Sequence, residues 1–452
     1  MHQLISQTSL IHGWFPVVMP AAALVLLVGA LWRRSPYWNR RWLPTIVGIA
    51  VVVSLLARWY VDSLGIAGNA GPLRLWIWVG LTTAAVGVVI LGWSGAGWWR
   101  RLAAVLAVPL CAASCLLTLN IWVGYFPTVH AMWNQVSAGP LIDQTDRLTV
   151  TKMQVMHTRP KVGVIVPVDT GNAGSGFEHR RELVYLPPAW FASNPPPRLP
   201  TVMMIGSELN TPADWLRAGN ALHTVDAFAG AHGGNAPVLV FVDATGAFSN
   251  DTECVDGPRG NAADHLVNDV VPYLVSNFGV RADRDGWGIM GWSMGGTCAV
   301  DLTLMHPDTF RSFVDIAGDL RPNSGDDGET VARLFGGDSA ARSAYDPLTV
   351  LRQHGPYSGV SAWFEVPASA DPAANPEGQD VAATTLCDAA RAQSIACSVV
   401  TEPGRHDWPF AARAFATSLP WLAGELHTPG VGPTGLPDPD LTLAQASDSH
   451  VH

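Results

Sequence analysis

The chain has 452 residues, of which 48% are hydrophobic and only 14% charged, with a formal net charge of −10. Soluble domains carry roughly 25% charged residues, so a wholly soluble protein is excluded. No Lys/Arg-rich run stands out, which excludes a nucleic-acid footprint.

The apolar excess is packed into the first third. A helix needs about 20 residues to cross a hydrocarbon core. Four stretches meet this demand, at 14–32, 43–59, 75–93 and 102–125, and form an all-α transmembrane bundle of four helices over residues 1–125. The first lacks a basic leader and is followed by further spans, so it reads as a retained helix rather than a cleaved signal. Trp14, Trp32, Trp42, Trp59, Trp76, Trp93 and Trp122 fall near the span ends, where indoles prefer the interface. Arg33, Arg34, Arg40 and Arg41 lie between spans one and two, and Arg100 and Arg101 between spans three and four. The positive-inside rule assigns these arginines to the cytoplasm, which places the chain after Tyr125 outside. No acidic or histidine residue lies inside a span, so a transporter has no candidate relay group.

Residues 126–160 read as a connector containing a helix. From 161 to 427 apolar strands alternate with helices. The strand candidates are Val162–Pro167, Glu182–Leu186, Thr201–Ile205, Val238–Val242, Gly286–Met290, Ser312–Ile316, Ser361–Val366 and Ala396–Val400. The helices are Ala262–Phe278, Met294–Met305 and Val381–Gln393. This alternation predicts an α/β class domain, a mainly parallel, doubly wound sheet with helices on both faces. Residues 428–452 are polar and rich in Pro and Gly, the composition of a disordered tail.

Gly291-Trp292-Ser293-Met294-Gly295 sits between a buried strand and a helix. That context is what a nucleophile elbow requires. A sharp turn pushes the serine hydroxyl out of the sheet, and small neighbours let strand and helix approach. The amide of Met294 then faces an oxyanion near the positive end of the helix. A serine hydroxyl needs an adjacent base. Among the later histidines, His306 ends the elbow helix, His354 stands beside Gly355-Pro356, and His427 precedes the tail. His406 follows the last strand directly, where a base belongs in the order Ser, acid, His. The acid is expected past the preceding strand, at Asp371, with Glu377 as the alternative and Asp380 in the same loop; Glu365 is within the strand. The second oxyanion donor is expected from the loop after the third strand, at the amide of Ser207.

At these residues the chain resembles the esterase D superfamily of α/β-hydrolases, which includes formylglutathione hydrolases and secreted mycolyltransferases. The matching stretches are Leu183-Val-Tyr-Leu-Pro-Pro, Asn250-Asp-Thr-Glu-Cys, Gly291-Trp-Ser-Met-Gly-Gly-Thr-Cys-Ala with His306-Pro-Asp-Thr-Phe, and Pro403-Gly-Arg-His-Asp-Trp. The four-helix prefix is similar to that of membrane-attached esterase-like proteins. The resemblance implies an α/β-hydrolase fold, Ser293 as nucleophile, Asp371 as acid, His406 as base, and ester chemistry with no cofactor and no metal. Cys254 with Cys298, and Cys387 with Cys397, fit this context as two disulfides, which agrees with an oxidising compartment. The sequence reading is therefore a plasma-membrane serine carboxylesterase or acyltransferase acting outside the cytoplasm on acyl esters, lipid or glycolipid among them. Its rival is a catalytically inactive envelope scaffold of the same fold.

Overall fold

A computed structural model describes residues 8–437 except 34, 66–70, 138–140, 142 and 369–377, together with the backbone alone of 134–137. The chain divides into a helical unit, Met1–Leu64 with Asn69–Ala138, and an α/β unit whose body is Gly139–His452.

The helical unit is built from α1 (Phe15–Leu31), α2 (Leu43–Leu64), α3 (Leu73–Gly92) and α4 (Trp98–Val123). A π-helical turn, Trp38–Trp42, leads into α2. The second apolar helix therefore starts before Leu43 and runs Trp38–Leu64, 27 residues. Three helices, Trp38–Leu64, Leu73–Gly92 and Trp98–Val123, are long and apolar enough to cross a membrane; Phe15–Leu31 is a shorter apolar helix. The seam between helices is lined by small side chains, among them Ala23, Ala30, Ala84, Ala85, Ala104 and Ala107. Leu27, Trp38, Ile46, Trp78 and Val88 fill the seam beside them, while Val25, Leu55, Ile90 and Leu116 point outward. Small residues let backbones approach, which is how helices associate where burial from water gives no drive. The last helix stops at Gly124, whose left-handed φ of 70° lets its amide close on Asn120 O. The Asn120 side chain then both donates to and accepts from the backbone of Phe126. Two short helices, Val129–Ser137 and Arg147–Val155, occupy the expected connector.

The α/β unit is centred on one eight-stranded sheet. Its strands are β1 (Val164–Val168), β2 (Glu182–Leu186), β3 (Thr201–Ile205), β4 (Val238–Phe241), β5 (Trp287–Trp292), β6 (Ser312–Ile316), β7 (Ser361–Ala368) and β8 (Ala396–Pro403). The spatial order is β1-β2-β4-β3-β5-β6-β7-β8. β1 and β2 are antiparallel, as are β2 and β4; every later pair is parallel. This is the mixed sheet of an α/β-hydrolase. The inner strands β3 to β6 are buried at every residue because helices cover both faces. Parallel strands also bring the ends of β3, β4, β5, β6, β7 and β8 to one edge, where ligands bind in such sheets.

The sequence pattern missed the helix Ala221–Ala231 and the helices Asp327–Phe335, Ser339–Ala344 and Pro347–His354. His354 consequently ends a helix instead of standing in a loop. The tail expected from Thr428 is held against the domain as far as Pro437: Thr428 is buried, its amide bonds to Ala423 O, and Ser398 Oγ donates to Pro437 O. Both expected disulfides, Cys254–Cys298 and Cys387–Cys397, are formed.

Candidate active site

Ser293 stands between β5 and the helix Met294–Met305, with φ 59° and ψ −123°. A non-glycine residue at positive φ is strained and persists only where its surroundings hold it. Three glycines provide that hold by close approach. A Cβ on Gly291 would lie 1.8 Å from Gly295 O, one on Gly295 would lie 2.4 Å from Ile205 O, and one on Gly296 would lie 2.2 Å from Asp315 Oδ1. The Ser293 amide donates to Ile316 O on β6, which pins the elbow to the neighbouring strand.

His406 follows β8 and directly precedes the last helix, Trp408–Glu425. Asp407 caps that helix by accepting from the Phe410 amide, and Pro409 stands in its first turn. The cap fixes where the loop ends and therefore where the imidazole sits. His406 Nε2 lies 2.9 Å from Ser293 Oγ, and both residues are half-buried. The imidazole packs by the Trp292 ring at 5.5 Å, and Trp292 lies 4.5 Å from Trp408. Loss of water around the ring lowers the His406 pKa to about 4, which keeps it neutral and able to accept a proton.

His406 Nδ1 is buried and has no hydrogen-bond partner among the described residues. Asp371 and Glu377, the expected acids, lie outside the described residues, in 369–377. The strands that lead to this region run in register, with Ala368 of β7 beside Pro403 of β8. Asp371 and His406 are each three residues past that pair. Of the other acids, Glu365 is buried within β7 and accepts from Trp363 Nε1 at 2.9 Å, and burial raises its pKa to about 8.

Met294 is the first residue of its helix, so its amide has no acceptor within the helix. Met294 and Ser207 line the same small cleft with Gly206, Asn210 and Thr245. The Ser207 amide, expected as second oxyanion donor, is already engaged: it donates to Asn210 Oδ1 at 2.8 Å. The Asn210 side chain reaches back to an amide three residues before it, a contact that no turn motif in the sequence marks. The sheet edge also carries buried carboxyl groups that sequence alone did not group. Burial raises the pKa of Glu208, Asp319 and, with added repulsion from Asp251, Asp319, Glu208 and Asp301, that of Glu253. Asp315 is raised to about 7 by burial while its Oδ1 accepts from the Gly318 amide. One further group has metal-ligand character: donor atoms of His179, Glu182 and His265 lie within 4.8 Å of one another. His265 lies 83 positions from Glu182, and no ligand spacing in the sequence marked the group.

Comparison with known proteins agrees with this geometry. The Esterase family model matches residues 178–422. An uncharacterized protein of Corynebacterium glutamicum is 30% identical over 334 residues, covering 72% of this chain and 76% of its own. S-formylglutathione hydrolase of Paracoccus denitrificans is 34% identical over 92 residues, 20% of this chain and 33% of its own. Among solved structures, S-formylglutathione hydrolase of Agrobacterium tumefaciens is 18% identical with a TM-score of 0.48, covering 59% of this chain and 97% of its own. MPT51 of Mycobacterium tuberculosis is 19% identical with a TM-score of 0.40, covering 57% and 98% respectively. The family match spans more than half the chain and contains the elbow and His406: the chain belongs to the Esterase family.

Proposed function

We propose that the protein is a membrane-anchored serine carboxylesterase or acyltransferase that works outside the cytoplasm through a Ser293–His406–Asp371 triad. The observation that carries the reading is the 2.9 Å approach of His406 Nε2 to Ser293 Oγ at a strained strand-to-helix turn. The buried Nδ1 on the far side of the ring, without a partner among the described residues, calls for a carboxylate. Asp371 is preferred because it is the first acid in the sequence after β7, and Glu377 is the alternative.

In the reaction, Ser293 Oγ attacks the ester carbonyl while His406 Nε2 takes its proton. The acid holds the ring tautomer and stabilises the imidazolium. The Met294 amide receives the oxyanion, and the Ser207 amide joins it when Asn210 turns away. His406 returns the proton to the leaving alcohol. Water, or an acceptor hydroxyl, then enters by the reverse steps and frees Ser293.

The apolar helices and the arginine pattern support an anchor with the catalytic unit outside, and an acyl ester of a lipid or glycolipid as substrate. Fluorophosphonate labelling of the detergent-solubilised chain tests the core of the reading. Wild type is expected to label and Ser293→Ala to stay blank. Labelling that survives the substitution rejects Ser293. Hydrolysis of an ester series of rising acyl length, with and without a sugar acceptor, separates water from hydroxyl transfer.

A further inference from the structure

We infer that His179, Glu182 and His265 form a binding site for a divalent transition cation of the zinc class, with Asp269 as its outer support. The inference is independent of the proposed reaction.

The argument begins with donors and acceptors. His179 Nδ1 lies 2.8 Å from Glu182 Oε1, and His265 Nε2 lies 3.1 Å from the same atom. The other nitrogen of each ring also meets an acceptor. His179 Nε2 faces Gly171 O at 3.0 Å, and His265 Nδ1 faces Asp269 Oδ2 at 3.3 Å. His179 Nδ1 is further 2.9 Å from Arg180 O. A neutral imidazole donates from one nitrogen only. A neutral ring, whichever nitrogen carries its proton, leaves the other lone pair facing an acceptor oxygen. If all four nitrogens donate, two imidazolium ions stack with ring centroids 4.2 Å apart. The His265 and Glu182 side chains are fully buried and that of His179 is 7% exposed, so water does not relieve either arrangement.

A cation between the inner atoms removes the conflict. Two neutral imidazole nitrogens and an anionic oxygen converge on it, and the outer N–H groups donate to a carboxylate and a backbone carbonyl. That is the supporting pattern metal-bound histidines adopt. The 2.8 and 3.1 Å separations are near the edge of a tetrahedron with bonds of about 2.0 Å, roughly 3.3 Å. Glu182 Oε2 is buried without a hydrogen-bond partner among the described residues, so the same carboxylate has a second oxygen to offer.

The surrounding chain is fixed for the task. His265 and Asp269 lie on a π-helical turn, His265–Val270, a distortion frequent at functional sites. Asp269 is held by the Gly174 amide at 2.7 Å and Ser175 Oγ at 2.5 Å. The cation would clamp the loop between β1 and β2, the start of β2 and this helix. Arg180, beside His179, reaches Asp243 and Thr245, and Thr245 lines the cleft near Met294.

The test uses the full chain in detergent, stripped with a chelator and then titrated with zinc alone. The readouts are metal content by mass spectrometry, thermal unfolding, and the visible spectrum of the cobalt(II) form. One zinc per folded chain is expected, with a rise in unfolding temperature. Glu182→Gln and His179→Gln are expected to lose it, and Asp269→Asn to bind 10–100-fold more weakly. Should His179→Gln or Glu182→Gln misfold, the cobalt spectrum of wild type decides, because nitrogen ligation shifts its bands from those of the aquo ion. Wild type that binds no stoichiometric metal, or folded variants that bind as well as wild type, would overturn the inference.

Discussion

His406 is held neutral by desolvation, with its pKa lowered to about 4, and the carboxylate proposed behind it works in the opposite sense. An acid at Asp371 favours the imidazolium, so it raises the pKa that governs kcat/KM. Asp371→Asn is therefore expected to cut kcat by about 10⁴-fold and to move the acid limb of the pH profile toward about 4. A pH series on both variants decides the acid: if Glu377→Gln moves the limb and Asp371→Asn does not, the role passes to Glu377. Asp315 supplies a second, separate test. Its folded pKa, about 7, is raised above the unfolded value of about 3.9, so the unfolded chain releases this proton first as pH rises. Its contribution to stability is full below about pH 4 and is lost as pH climbs to about 7. Asp315→Asn should be more stable relative to wild type at pH 8 than at pH 5, by about 2–4 kcal/mol, read from urea midpoints. An unchanged difference between the two pH values would contradict it.

At the scale of elements, the elbow is the most constrained turn in the fold. Gly295→Ala drives a methyl group into Ile205 O, and backbone cannot step aside as a flexible side chain would. A loss of at least about 1–3 kcal/mol is expected, with fluorophosphonate labelling falling further than the unfolding temperature alone explains. The Cys254–Cys298 bridge ties the elbow helix to the loop after β4 across a separation of 44 residues. Loop-closure entropy gives it about 4 kcal/mol, so the double variant Cys254→Ala/Cys298→Ala should melt well below wild type in calorimetry. The strands and the elbow were legible because short apolar runs and Gly-x-Ser-x-Gly are local patterns. His406 was legible because it follows a strand directly. The segment from Asp327 to His354 was not, since its helices are short and start at Asp326, Asp338 and Asp346 caps without a long apolar stripe. The engagement of Ser207 by Asn210, and the meeting of His179 with His265, depend on side-chain directions that no linear pattern carries.

For the molecule as a whole, the helical unit and the α/β unit follow opposite rules of surface. One exposes many of its large apolar side chains around a seam rich in alanine, and the other buries them around the sheet. The proposed orientation, argued from the arginine pattern, has the α/β unit outside. In spheroplasts, added protease should therefore cleave the α/β unit and spare the loop holding Arg33 and Arg41; protection of the α/β unit until the membrane is broken would reverse the orientation. Within the α/β unit, β7 and β8 keep step to their last residues. Because side chains alternate faces along a strand, deleting one codon inside β8 would turn every residue after the gap over. The same deletion between Pro403 and the Asp407 cap would leave the strand's faces unchanged but pull His406 away from Ser293. Changes of length are thus as damaging in the short loop that seats His406 as along the straight strand that leads to it.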